Sequence, residues 1–211
     1  MSDKKGKSLA SEINSQKNYT PSETVKPVEG AKEEPKVDFE ALKAKLEVFK
    51  KAVLKKYKFT IALGLLPGPS FKIFEEDEEL PKEIIDTKPL HMIMIIPEEE
   101  YKNIPKIKPE IVKLVKETKE NIWVHIKTPV DLWNYGLDSK YEFLDAVSAS
   151  FPIYDNGFLG ALRVANIHKT LVLRKFEKYV ASYVIAGSLV RGTADKDSDV
   201  DTFVIIDDTD V

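Results

Sequence analysis

The chain has 211 residues, of which 43% are hydrophobic, and its 32 Lys and Arg against 35 Asp and Glu leave a formal charge of -3; it contains no cysteine. That is enough apolar material for one full domain and a remainder. It excludes a globally basic nucleic-acid coat, a disulfide scaffold, a thiolate zinc site and a thiol nucleophile. No apolar run reaches the roughly 20 residues of a membrane helix, and Met1-Ser2-Asp3-Lys4-Lys5 leads into polar sequence rather than an apolar signal core. The chain reads as a soluble, cytoplasmic protein with no membrane contact.

Residues 1–37 are Lys, Glu, Ser, Pro and Gly with scattered aliphatics, a composition that cannot offset the entropy of ordering, so a disordered tail is expected. From Phe39 the apolar residues Leu42, Leu46, Phe49, Val53 and Leu54 recur at helical spacing. Lys55, Lys56 and Lys58 follow, suited to the negative end of the helix dipole. Phe59 to Leu63 reads as a buried strand ending at Gly64, and Pro67, Gly68, Pro69 and the acidic Glu75 to Glu79 read as loop. The strand Leu90 to Ile96, a helix over Pro109 to Thr118 and the strand Asn121 to Lys127 come next. Asp131 to Tyr135 is expected as a helical turn, Ser139 to Ser148 as a helix turning Tyr141, Leu144 and Val147 inward, and Pro152 to Asp155 as a short extended piece. Helices alternate with strands, so the fold class is α/β or α+β, a mixed sheet flanked by helices.

The opening order then recurs. A helix over Leu162 to Val180, with Ile167, Leu171, Leu173 and Phe176 as apolar positions, runs into the strand Tyr183 to Ala186 and stops at Gly187. A second strand, Val200 to Ile206, follows a polar stretch. Gly187 stands 123 positions after Gly64, which points to an internal repeat of order rather than of identity.

The chemistry-bearing stretch is Gly187-Ser188-Leu189-Val190-Arg191-Gly192-Thr193, a short linker, and Ser198-Asp199-Val200-Asp201 entering an apolar strand. A glycine at a strand end lets backbone approach a ligand closely, and Ser188 beside it opens a short helix whose free amides suit a triphosphate. Arg191 is placed to reach a phosphate or to cap the turn. Asp199 and Asp201, two apart on an extended strand, project from one face and offer the hard oxygens Mg²⁺ takes. Val200, Phe203 and Ile205 are expected on the opposite face, in the core. An EF-hand reading fails, because its sixth and twelfth positions counted from Asp195 hold Val200 and Ile206. Asp195 and Asp197 are assigned to a solvated turn.

These residues resemble the nucleotidyltransferase superfamily of DNA polymerase beta, poly(A) polymerases, CCA-adding enzymes, aminoglycoside nucleotidyltransferases and minimal nucleotidyltransferases. Its pattern of an apolar strand, Gly-Ser, Arg-Gly, and Ser-Asp-x-Asp leading into an apolar strand is legible between Tyr183 and Ile206. The resemblance implies that Gly187 and Ser188 bind the triphosphate of an NTP, ATP being the first choice. It implies that Asp199 and Asp201 hold two Mg²⁺ for attack on the α-phosphate with pyrophosphate leaving. The acceptor stays open: an RNA end, a protein or a small molecule. The family also uses a third carboxylate on a later strand, and Asp207, Asp208 and Asp210 follow too closely to come from one. The expectation is therefore the front part of a longer protein, or an incomplete gene, inactive as this chain alone.

The resulting division is a tail over 1–37, a degenerate nucleotidyltransferase-like domain over 38–160 and an incomplete one over 161–211. In the first copy Gly64-Leu65 replaces Gly-Ser, and Pro89 and His91 fall where the carboxylates belong. His91 and His125, on neighbouring strands, are expected as hydrogen-bonded histidines rather than metal ligands. Trp123, Trp133, Tyr135 and Tyr141 are expected to pack rather than stack bases. The alternative function is a non-catalytic module binding nucleotide, RNA or protein.

Overall fold

The computed structural model describes residues 39–207; the predicted tail, and Asp208 and Asp210, lie outside the described residues. Helix α1 (Phe39–Lys56) buries Leu42, Leu46, Phe49 and Val53 along one face and closes with Lys55 and Lys56. The next strand starts later than predicted. The Thr60 amide and hydroxyl both donate to the Tyr57 carbonyl, at 3.0 and 2.7 Å, and hold the chain in a turn until β1 (Ala62–Leu65). Gly64 consequently lies inside the strand instead of ending it. A Cβ there would lie 2.6 Å from Ser150 Oγ, so the close approach of Ser150 is what requires glycine.

The segment read as loop is largely helical. Pro67 leads a 3-10 turn (Gly68–Ser70) into α2 (Phe71–Asp77), and α3 (Lys82–Ile85) follows Pro81. Phe71 and Phe74 stand one turn apart, and the fully buried Phe74 pins this helix to the core, drawing Glu75 to Asp77 into it. Next come β2 (Leu90–Ile95), a 3-10 turn (Glu98–Asn103) and α4 (Ile104–Thr118). This last helix starts five residues before Pro109: Pro105 sits in its first turn, where the missing N–H costs no helix hydrogen bond, and Pro109 lies inside it. Lys119, left-handed at φ 58°, ends it. After β3 (Ile122–Lys127), Thr128 and Asp131 form a capping box that starts α5 (Pro129–Leu137). Then follow α6 (Tyr141–Ser148), β4 (Phe151–Asp155), α7 (Phe158–Phe176), β5 (Val180–Ala186), α8 (Gly187–Arg191) and β6 (Asp201–Ile206).

The fold is mixed α/β. One sheet runs β3-β2-β1-β4, with β2 and β3 parallel and the other pairs antiparallel; β5 and β6 form a separate antiparallel pair. Alternation along the strands divides the four-stranded sheet into two faces. Leu63, Met92, Met94, Ile122, Val124 and Ile126 pack with α1 and α4. Ala62, Ile93 and Ile95 pack with α2, α5, α6 and the first half of α7, and Leu189 and Ala194 are buried in that same cluster.

Three placements differ from expectation. Tyr141 is 53% exposed, since helix α6 turns Phe143 and Ala146 inward beside the expected Val147. Phe203 and Ile205 are 59% and 53% exposed, because alternation along β6 puts them on the same face as Asp201 rather than opposite it; Val200 alone of that set packs on the core. The register also moves the counterparts of the carboxylates. With Gly64 set against Gly187, Leu63 corresponds to Ala186, and their cross-strand partners are Met94 and Asp201. Met92 and Met94, both fully buried, thus stand where Pro89 and His91 were expected.

Candidate functional site

Ala186, extended at φ -141° and ψ -169°, ends β5 directly opposite Asp201, the first residue of β6. Gly187 turns the chain at φ +73° into α8. A Cβ on Gly187 would overlap Oδ2 of Asp201 and lie 3.0 Å from its Cγ. The glycine and the carboxylate are thus in direct apposition, and any side chain at 187 would occupy the space the carboxylate uses. Leu189, fully buried, and a 2.8 Å bond from Trp133 Nε1 to the Val190 carbonyl fix α8 to the core. Gly192 ends α8 in the left-handed region at φ +71°, backed against Pro129.

The linker closes on itself. Ser198 Oγ donates to Asp195 Oδ1 at 2.8 Å and accepts from the Asp195 amide at 2.9 Å, and the Asp197 amide donates to Asp195 Oδ1 at 3.0 Å. The hydrogen bond from Ser198 holds the Asp195 carboxyl below its ordinary range. Asp195 and Asp197 therefore form the turn expected of them. Asp199 lies in the connection just before β6 rather than within it, and both Asp199 and Asp201 are exposed. Among the described residues neither carboxylate has a hydrogen-bond or ion-pair partner, so their oxygens are free for a cation. Two such carboxylates, one against a glycine backbone, fit the hard-oxygen needs of Mg²⁺. Arg191 is exposed on the last turn of α8. Among the described residues no three His, Cys, Asp or Glu side chains converge on one point.

Two residues that sequence reading passed over shape this surface. Asp155 accepts the amides of Gly157, Leu159 and Gly160 at 3.1, 3.0 and 2.9 Å and so caps α7. Gly157, at φ +131°, lets the Asp195-Lys196 backbone lie against that cap: a Cβ would overlap the Asp195 carbonyl and stand 2.6 Å from Lys196 N. A cavity of about 330 Å³ opens between them, bordered by Asp155, Gly160, Asp195 and Ser198. The available signal was an Asp two residues before a Gly at a helix start.

The two histidines meet as hydrogen-bonded partners. His91 Nδ1 and His125 Nε2 are 2.8 Å apart with both rings fully buried, and the outer nitrogens lie 3.3 Å from Glu75 and 3.1 Å from Glu78. Burial, and then the charge of His125, pushes the His91 ring down to about 4. Burial pushes Glu78 up, but the hydrogen bond and charge of His125 with Lys127 and Lys108 outweigh it and hold the carboxyl at about 2. The folded-state value of His91 lies below the roughly 6.5 of an unfolded chain. Its contribution is fully present above pH 6.5 and lost as pH falls through 4, on the order of 3 kcal/mol. His91→Gln, which stays neutral, is expected to flatten the fall in stability between those pH values; urea unfolding of both proteins at each pH checks this. Equal slopes would show that the pair carries no such linkage.

No helix among the described residues is long and apolar enough to cross a membrane. Residues 166–211 match a family model described as a nucleotidyltransferase domain, a span that contains the whole motif from Tyr183 to Ile206. No curated protein and no solved structure matches the chain.

Proposed function

We propose that the surface from Gly187 to Asp201 binds a nucleoside triphosphate, ATP by first choice, and serves metal-dependent transfer of its nucleoside monophosphate to an acceptor hydroxyl on an RNA end, a protein or a small molecule. The apposition of Gly187 and the Asp201 carboxylate carries the reading, because it puts a bare backbone turn and an unpartnered metal-binding group at one point. The nucleotidyltransferase match over residues 166–211 supplies the class of reaction. A cytoplasmic setting is proposed with it.

In this reading Gly187 and Ser188 seat the triphosphate on the first amides of α8, and Arg191 offers a planar cation to its oxygens. Asp199 and Asp201 would hold two Mg²⁺, which when bound neutralise the charge that keeps a nucleophile from the α-phosphorus. The acceptor oxygen forms its bond to that phosphorus as the bond to the bridging oxygen of pyrophosphate breaks, and the hydroxyl proton passes to a base outside this pair. Positioning supplies much of the rate. Residues 38–160 are read with it as a degenerate copy and 161–211 as the segment that retains the nucleotide and metal ligands. Both run helix, strand, helical connection, antiparallel strand, the first connection holding two helices (α2 and α3) and the second one (α8), and Met92 and Met94 leave the first without carboxylates on β2. In the alternative, the same surface binds nucleotide without transferring it.

Titration of the 211-residue chain with ATP should show binding that requires Mg²⁺ and weakens at least about 100-fold in Asp199→Ala and in Asp201→Ala, with circular dichroism unchanged. Binding that ignores Mg²⁺, or survives both substitutions, would refute the assignment. Incorporation of labelled nucleotide into an acceptor separates transfer from binding alone.

A further inference from the structure

The open side of β3 presents a feature that nucleotide handling does not use. Strand β3 is the edge of the four-stranded sheet. The Leu90 amide donates to the Asn121 carbonyl at 2.8 Å and the Ile96 amide to that of Lys127 at 3.0 Å. With the parallel register of Leu90 against Ile122, residues 121, 123, 125 and 127 therefore face β2. The N–H and C=O groups of Ile122, Val124 and Ile126 point outward, and among the described residues nothing bonds to them. The side chains of the same three residues lie on the α4 side, where with Ile111, Val112 and Val115 they line a groove of about 420 Å³. Val112 is 43% exposed within it.

A free ladder beside an apolar, helix-walled groove has a specific complement. We propose that this groove binds an extended peptide segment of a partner protein, which adds a strand to β3 and seats alternate apolar side chains against α4. Main-chain groups at 122, 124 and 126 supply the register, and the groove selects side chains on one face of the added strand only. Charge sets the flanks. Glu120 on the rim is occupied by Lys45, and Lys108 by Glu78 at 3.5 Å. Lys116 has no ion-pair partner among the described residues, so the rim is left positive and favours acidic residues at the ends of the peptide.

The probe is a synthetic, dye-labelled decapeptide of alternating valine and threonine with two aspartates at each end, titrated against the full 211-residue chain. Two further peptides carry N-methyl groups on one or the other of the two alternating sets of amides. Only one set can face β3. One methylated peptide is expected to bind at least about tenfold more weakly than the parent while the other keeps its affinity, and the amides of Ile122, Val124 and Ile126 should gain protection from hydrogen exchange on binding. Val112→Asp, at a half-exposed position that tolerates a charge, should weaken the parent peptide by a similar factor. Equal binding by the two methylated peptides, whether tight or absent, would overturn the proposal. So would self-association of the chain that protects the same three amides without peptide, which would make the occupant a second copy.

Discussion

Gly157→Ala is expected to destabilise the chain by about 3 kcal/mol, more than any surface substitution on the same helix. Two costs add. The backbone sits at φ +131°, a conformation open in practice to glycine alone, and the new Cβ would overlap main-chain atoms of Asp195 and Lys196. A flexible side chain could swing aside from such a contact; a carbonyl held in the Asp195-Ser198 turn cannot. The structure would relieve the overlap by lifting the linker off the cap of α7, which draws Ala194 out of the core. Urea unfolding gives the loss directly, and hydrogen exchange of the amides from 194 to 198 should rise more than that of β1 or β2. A variant as stable as the parent would mean that the linker does not rest on Gly157.

The second large effect belongs to Gly187→Val, expected to abolish Mg²⁺-dependent ATP binding while leaving most of the fold in place. Here the overlap is with a side chain, the Asp201 carboxylate, and φ is +73°, so valine must both adopt the left-handed region and displace the carboxylate proposed to hold the metal. The damage stays local because the four-stranded sheet and both of its packed faces are built without Gly187. Thermal unfolding should fall by only a few degrees, whereas calorimetric titration should show no binding. Retained binding in a folded Gly187→Val protein would remove the glycine from the site and leave the two carboxylates to justify it alone.

Much of this arrangement was legible from residue order. The helical spacing of Leu42, Leu46, Phe49 and Val53 and the apolar runs at 90–96 and 121–127 are direct records of burial, and each became the expected element. Gly-Ser and Ser-Asp-x-Asp were legible as a nucleotidyltransferase-like pattern, and the family match over residues 166–211 spans them, because the pattern is one of backbone freedom and charge, properties visible in a residue's type. What could not be read depends on contacts between distant segments. Helix α2 exists because Phe74 finds Phe143 and His125 around it, which no window around Glu75 reveals. Gly64 and Gly157 look alike in a sequence, yet one answers to Ser150 and the other to the Asp195 carbonyl. Phe203 and Ile205 were assigned to the face opposite the carboxylates, yet alternation from Asp201 puts both on the carboxylate's own, exposed face, a parity that the sequence itself carried.

That last exposure has a physical consequence beyond the site. Phe203, Val204, Ile205 and Ile206 all stand open to solvent on a two-stranded ribbon, each at 38% or more. A short uncharged run of this β-forming kind is what seeds stacked cross-β contacts between molecules. Association between molecules in concentrated solution is therefore expected to begin at the ribbon of β5 and β6.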